Sequence, residues 1–204
     1  ICNSFSAAPI DRSSLSVPAR AGKLRVMVVK DKQLLTDCAL VDPKIVDGEA
    51  VSDASRDILK IVVKSRYDSR PPQVGFVRGF AMTEGAIASS VAHDSHNVIA
   101  VGADDDALLS AINTVIAARG GLCVVGQQQQ RCLPLPIAGL MSDEEGRTVA
   151  AQYVGLNQLV AQCGSQLAAP LMTLSFLALL VIPALKLSDR GPFDGNKFQF
   201  VDLF

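Results

Sequence analysis

Four β-like segments follow one another in the middle of this chain, with no helical pattern between them. They cover residues 57–64, 73–80, 85–92 and 98–103, and they are rich in β-branched residues or alternate apolar with small ones. An earlier segment, 23–29, has the same character. Consecutive strands without intervening helices favour an α+β fold over a doubly wound parallel sheet. The sequence therefore predicts an α+β fold, with a mixed or largely antiparallel sheet of about six strands and two to three packed helices.

Two helices are predicted from their start signals and apolar periodicity. Asp104 is a suitable N-cap for a helix over 105–119, because the apolar side chains of that segment share one face. Ser142 and Glu145 have the spacing of a capping box, which predicts a second helix that ends near Cys163.

The remaining segments give weaker signals. The turn at 68–72 is short enough for the predicted strands 57–64 and 73–80 to pair as a hairpin. Residues 36–56 are predicted to be mainly loop, with room for one short strand. Periodicity leaves open whether 171–187 is a buried helix or a strand. Residues 198–201 alternate as a final strand.

The chain reads as a single domain with an N-terminal extension. Residues 1–22 contain five Ser and two Pro with little apolar periodicity, which predicts a linker or flexible tail before a domain at 23–204. Because the chain begins at Ile1 and not at Met, we expect a processed chain or a piece of a longer protein.

The composition and charge of the chain argue against several classes of function. The net charge is -1 and no basic block is present, which argues against a nucleic-acid surface. No signal-peptide layout is seen, and the longest apolar run, 171–185, is shorter than the ~20 residues of a membrane span. The five cysteines form no Cys-x-x-Cys pair, which is typical of reduced thiols in a cytoplasmic protein.

The densest polar cluster lies between two of the predicted strands. It comprises His93, Asp94, Ser95, His96 and Asn97, and it holds both histidines of the chain. A metal site would need at least three protein ligands, for which His93, Asp94 and His96 are the candidates if a turn brings them together. The cluster could instead brace the end of a strand, or it could face a partner or another domain as half of a shared site. These three alternatives stay open on spacing alone.

Other polar residues give no catalytic signature. Ser89 and Ser90 lack a Gly-x-Ser-x-Gly elbow, and no glycine-rich phosphate loop is present. Lys60 and Arg66 are expected to be solvated or ion-paired.

Several blocks, in this order, carry a resemblance to a known family. They are residues 57–61, 75–80, 85–97, 133–142, 172–179, 181–183 and 185–186. From about Lys23 to its end, the chain is similar to the C-terminal domain of the bacterial-type adenine deaminases, members of the amidohydrolase superfamily. The long Ala-His-Asp-Ser-His-Asn block at 92–97 is its most specific part.

The resemblance implies the C-terminal portion of a metal-dependent hydrolase of purine metabolism, which converts adenine and water to hypoxanthine and ammonia. In that family the divalent metal (manganese, iron or zinc) is held by histidines and carboxylates of a barrel that precedes this region. With two histidines in all, this chain cannot supply that set, so we expect no catalytic or metal-ligating residue here and no activity from the chain alone.

The expected partners are the catalytic barrel of the same enzyme, adenine as its substrate and, as a further option, a second copy of the chain. His93, Asp94, Ser95, His96 and Asn97 would then lie near the mouth of the active site. The alternative is a stand-alone, non-catalytic domain that binds a ligand or another protein.

Overall fold

A mixed eight-stranded sheet forms the centre of the molecule in the computed structural model, which describes residues 3–204. The strands of the described chain are β1 (Leu24–Val29), β2 (Thr36–Val41), β3 (Lys44–Val46), β4 (Glu49–Val51), β5 (Leu59–Lys64), β6 (Gln73–Arg78), β7 (Ala86–Ser89), β8 (Val98–Gly102), β9 (Gly121–Val125), β10 (Gln130–Pro134), β11 (Leu185–Ser188), β12 (Gly191–Asp194) and β13 (Gln199–Phe200). The large sheet has the order β10-β9-β7-β8-β5-β6-β1-β2. Its β1–β6 pair is parallel and its other neighbours are antiparallel. The α+β prediction is confirmed, with a sheet somewhat larger than expected.

The central hairpin forms where the sequence places it. Strands β5 and β6 pair antiparallel with Leu59 opposite Val77 and Val63 opposite Gln73, so the connection spans the predicted turn. Residues 36–56 differ from the prediction, because they form β2, β3 and β4. Strand β2 lies at the edge of the sheet and exposes Asp37, Cys38 and Leu40, and for that reason its sequence lacks the apolar alternation of a half-buried strand.

Within residues 3–204, three α-helices pack on the sheet: α1 (Asp105–Ala117), α2 (Gly146–Gln162) and α3 (Pro170–Ser175). Helix α1 begins as predicted, since Asp104 Oδ1 accepts a hydrogen bond of 2.8 Å from the Ala107 N–H. The predicted capping box of α2 is wrong. Glu145 occupies the N-cap position without a side-chain cap bond, and Ser142 Oγ accepts instead from the Glu144 N–H at 3.1 Å.

The sheet divides the core into two apolar layers, as alternating side chains along each strand require. Val62 and Ala100 point to the layer that contains α1, whereas Ile61 and Val101 point to the layer that contains α2 and α3. The result is a three-layer arrangement in which the central strands β5, β7 and β8 are buried along their whole length.

The N-terminal segment differs from the expected linker or flexible tail over its described residues, 3–22. Phe5, Ile10 and Leu15 are buried in the layer that contains α1, and the Ser6 N–H donates to the Arg66 carbonyl at 2.7 Å. A short 3₁₀ helix at Arg12–Leu15 places Leu15 there. Ser-rich composition suggested disorder, but a few well-spaced apolar anchors are sufficient to hold the segment in place. Residues 1 and 2 of the predicted tail lie outside the described residues.

The ambiguous segment 171–187 contains both kinds of structure. The short helix α3 is followed by turns and then by β11, which pairs with β12 in a three-stranded sheet. The final predicted strand is present as β13. Over residues 3–204, none of the helices combines the length and apolar character needed to cross a membrane.

Candidate functional site

The polar cluster forms a turn between β7 and β8, two fully buried neighbours at the centre of the sheet. The His96 N–H donates to the Ala92 carbonyl at 2.6 Å, and His96 has a positive φ of 53°. The His93 N–H donates to the Ser175 carbonyl at the end of α3, at 2.9 Å. These bonds hold the turn against the helix layer and fix the directions of its side chains.

The turn brings the two imidazoles together, which a flat strand could not do. Their ring centroids lie 5.4 Å apart in an edge-to-face arrangement, and the His93 ring also packs on Phe176 at 4.8 Å. Burial lowers the pKa of His96, and positive charge on His93 and Arg66 lowers it further. His96 therefore favours the neutral imidazole.

The other three residues of the cluster point in different directions. Asp94 and Ser95 are exposed, and the Ser95 carbonyl accepts a 2.6 Å hydrogen bond from the Tyr67 hydroxyl. Asn97 is only 5% exposed, and its Oδ1 accepts from the backbone N–H of Arg66 at 3.3 Å. Asn97 therefore connects the turn to the end of β5.

Arg66 lies beside this cluster, although no pattern in the sequence predicted that position. It is 4% exposed, and in the described chain its guanidinium donates from Nη2 to the Ala138 carbonyl at 2.6 Å. Nε and Nη1 are buried with no partner among residues 3–204. The guanidinium lies over the rings of Phe5 and Tyr67, at 5.5 and 5.3 Å from their centroids. The expectation of a solvated or ion-paired side chain is wrong for Arg66, whereas Lys60 is ion-paired with Asp105 at 2.9 Å.

A cleft of about 420 Å³ opens beside the turn. Ser95 and Asn97 line it together with the 65–70 loop and residues 178–190. Arg70 lies at the edge of the cleft, where its Nη2 is 2.7 Å from Asp68 Oδ2 and its Nη1 is 3.0 Å from Asp189 Oδ2. Sequence reasoning missed this cleft because its walls come from three segments far apart in the chain.

The cluster does not fit a metal centre. Among residues 3–204, no three histidine, cysteine, aspartate or glutamate side chains come together in a group that could hold an ion. The alternative of a metal bound by His93, Asp94 and His96 therefore has no support in this geometry.

Comparison with known proteins connects this geometry to a family. The family model described as "Adenine deaminase C-terminal domain" matches residues 33–199, which include the whole 93–97 turn and most of the cleft. The chain belongs to the adenine deaminase C-terminal domain family. The resemblance noted from the sequence is thereby confirmed.

Curated relatives of this family match nearly all of the chain. A protein named adenine deaminase from Salinibacter ruber is 53% identical over 100% of this chain and 38% of its own length. Those from Methanosarcina barkeri and Parabacteroides distasonis are 47% and 43% identical, over 96% and 99% of this chain and 36% and 37% of theirs. The chain thus spans little more than a third of the length of these relatives. The adenine deaminase C-terminal domain is one part of a longer polypeptide in each of them.

Proposed function

We propose that this chain is the C-terminal portion of an adenine deaminase, in which it packs against a metal-bearing catalytic barrel outside the chain. The observation that carries the proposal is the match over the full chain, at 43–53% identity, to proteins with that name. The reaction would be the hydrolysis of adenine to hypoxanthine and ammonia. The match to a part of longer proteins supports this function over a stand-alone interaction domain.

The catalytic chemistry would belong to the barrel. The divalent ion, which the resemblance implies to be manganese, iron or zinc, would be held there, because the described residues of this domain do not form a metal-ligand cluster. The domain's own contribution would be to shape the approach to the active site. A cytoplasmic location is part of the proposal, and the free thiols at Cys38, Cys123, Cys132 and Cys163 support it.

We place His93, Asp94, Ser95, His96 and Asn97 at the mouth of that active site. The support is that the turn combines exposed polar groups with a buried one that has unused hydrogen-bonding capacity. His96 Nδ1 is buried without a partner among the described residues, as are two nitrogens of the neighbouring Arg66. Buried polar atoms are nearly always paired, often by ordered water, so the groups of this turn that another part of the polypeptide or a ligand can contact are its exposed ones, Asp94 and Ser95.

The test uses the full-length enzyme. His93→Ala and His96→Ala should each lower kcat/KM for adenine by roughly tenfold or more, equivalent to about 1.4 kcal/mol of transition-state stabilisation. Gln128→Ala is the control, since Gln128 is exposed in the β9–β10 turn, outside the 93–97 turn. If kcat/KM is unchanged in both histidine variants and their melting temperatures stay near the wild-type value, this turn does not lie at the mouth of the active site.

A further inference from the structure

Two cysteines lie directly opposite each other in the large sheet. Strands β9 and β10 pair antiparallel, and Cys123 on β9 is the register partner of Cys132 on β10. Directly opposite side chains project from the same face of a sheet, with their Cβ atoms about 4.5–5.5 Å apart. Both cysteines accordingly belong to the layer that contains α1, where Cys123 is buried and Cys132 is partly buried.

The hydrogen bonds of this ladder show which kind of pair the two cysteines form. At the turn, the Gly126 N–H donates to the Gln129 carbonyl at 2.9 Å, so these opposite residues are a hydrogen-bonded pair. Hydrogen-bonded and non-hydrogen-bonded pairs alternate along an antiparallel ladder, which places Cys123 and Cys132 at a non-hydrogen-bonded position. Pro134 occupies the next position of the same kind on β10, as fits a residue without an N–H.

A non-hydrogen-bonded pair has the spacing that a disulfide requires. Its Cα atoms lie about 4.5 Å apart, within the range of about 4.4–6.8 Å that disulfides span. The backbone of β9 and β10 can therefore accept a bond between Cys123 and Cys132 with little movement. That bond would close only the short 124–131 segment, so it gains less from chain entropy than one across a long loop. This favours a bond that dithiols can reduce again.

The two thiols differ in ways that give them different roles. The Cys123 thiol donates a hydrogen bond to the Cys132 sulfur, which lowers the pKa of Cys132. The same contact, together with burial, raises the pKa of Cys123. Cys132 keeps part of its surface exposed, whereas Cys123 is fully buried. A partly exposed thiol with a lowered pKa is the one that a peroxide oxidises first.

Two further cysteines of the described chain have different surroundings. Cys38 lies on β2, at the opposite edge of the sheet, where its register partner is Met27. Cys163 lies at the end of α2, in the layer on the other face. Burial raises the pKa of both thiols. They therefore serve as internal references for the reactivity of the pair.

We propose that Cys123 and Cys132 are a reversible oxidation site, at which hydrogen peroxide converts the two thiols to a disulfide. The Cys132 thiolate attacks one peroxide oxygen, the O–O bond breaks, and the leaving hydroxide takes up the proton released by the thiol to become water. The Cys123 sulfur then attacks the sulfur of the Cys132 sulfenic acid, whose S–O bond breaks and whose hydroxyl leaves with the Cys123 proton as a second water. The two thiols lose two electrons, which reduce one peroxide molecule.

The experiment is peptide mapping of the full-length protein after treatment with hydrogen peroxide and alkylation of the remaining thiols. Trypsin cleaves after Arg131, so Cys123 and Cys132 fall in separate peptides that a disulfide would join. We expect the joined peptides in the wild type and expect dithiothreitol to separate them. The Cys132 thiol should be consumed at least about tenfold faster than that of Cys38.

Single substitutions separate the two roles. In Cys123→Ser the sulfenic acid on Cys132 has no thiol to condense with, so dimedone should label Cys132 at least about tenfold more than in the wild type. In Cys132→Ser the buried Cys123 should remain a thiol. Cys163→Ser is the matched control, since it removes a buried thiol from the other layer and should leave the joined peptides unchanged.

The wild-type map tests the proposal even where a substituted protein does not fold. Absence of the joined peptides at a peroxide concentration that oxidises Cys38 would overturn it, as would a disulfide from Cys132 to a different cysteine. Equal dimedone labelling of Cys132 in the wild type and in Cys123→Ser would also overturn it. None of these outcomes depends on deamination of adenine, so the proposed function is tested separately.

Discussion

Lys60 and Lys186 are both completely buried, but their surroundings differ. Lys60, on β5, has Asp105 Oδ2 at 2.9 Å and the Leu15 carbonyl at 2.8 Å from its Nζ. Lys186, on β11, has the Leu34 carbonyl at 2.9 Å and no carboxylate within ion-pair distance among residues 3–204. The buried charge of Lys60 is therefore compensated by the carboxylate of Asp105, whereas that of Lys186 is compensated only by the dipole of a backbone carbonyl.

The difference shows which buried polar groups hold the fold together. The Lys60 contacts join the N-terminal segment, the sheet and the first turn of α1, so they act as a structural connection. Burial lowers the pKa of Lys186 to about 8, because its charged form has no compensating carboxylate. Arg66 is likewise buried with a backbone carbonyl as the acceptor of its guanidinium and with no carboxylate in ion-pair distance among residues 3–204.

The largest effect is expected from removing the partner of Lys60. Asp105→Ala leaves a buried ammonium without its counter-charge and should lower the free energy of unfolding by about 4 kcal/mol, measured by urea denaturation. Asp106→Ala is a closely matched control, since Asp106 occupies the same helical turn but pairs with Arg12 at the surface. It should cost about 1 kcal/mol or less. Equal losses in the two variants would show that the Lys60–Asp105 pair is not the connection described.

The second-largest effect is the pH dependence of the stability that Lys186 contributes. The folded-state pKa of about 8 lies below the ordinary value of 10.5, so between these values the unfolded chain binds more protons than the folded one. The stability contributed by this residue should therefore rise with pH across that window, by about 3 kcal/mol.

Lys186→Met removes the titrating group at similar length. The difference in unfolding free energy between the wild type and this variant should move in favour of the wild type as pH rises from 8 to 10.5. A difference that does not change with pH would mean that Lys186 titrates normally in the fold.

A smaller effect is expected at Arg66. Arg66→Met loses one hydrogen bond to the Ala138 carbonyl but also removes a buried, uncompensated charge. The two changes oppose each other, and the net change in unfolding free energy should be about 1 kcal/mol or less. A loss as large as that of Asp105→Ala would place Arg66 with Lys60, as a paired and structural charge.

The smallest effect is a shift in the titration of His96. NMR titration of the two imidazoles should give His96 a pKa below its ordinary value of 6.5, because burial disfavours its charged form. Arg66→Met should raise this pKa, since it removes a nearby positive charge. His93→Gln identifies the remaining signal and should also raise it. If the pKa of His96 is the same in both variants as in the wild type, the electrostatic coupling between these side chains is contradicted.

The fold class and the central hairpin could be predicted from the sequence because both depend on local information. β-branched segments separated by short turns specify antiparallel neighbours, and Asp104 caps α1 through its own side chain. The sequence prediction allowed one short strand in 36–56 without locating it, since an edge strand such as β2 buries too little to show apolar alternation. The Ser142 capping box failed because its hydroxyl bonds to a nearer N–H, of Glu144.

The family and the polar cluster at residues 93–97 could be recognised from the sequence alone. The reason is that a long block of consecutive, specific residues can be recognised without knowing which residues are in contact. The folded structure was needed to show that the turn at 93–97 brings the two imidazoles together, that residues 3–22 pack on the body, and that Asn97 lines a cleft. Each of these depends on contacts between segments far apart in the chain, where burial and pairing are set by which surfaces meet in the folded molecule.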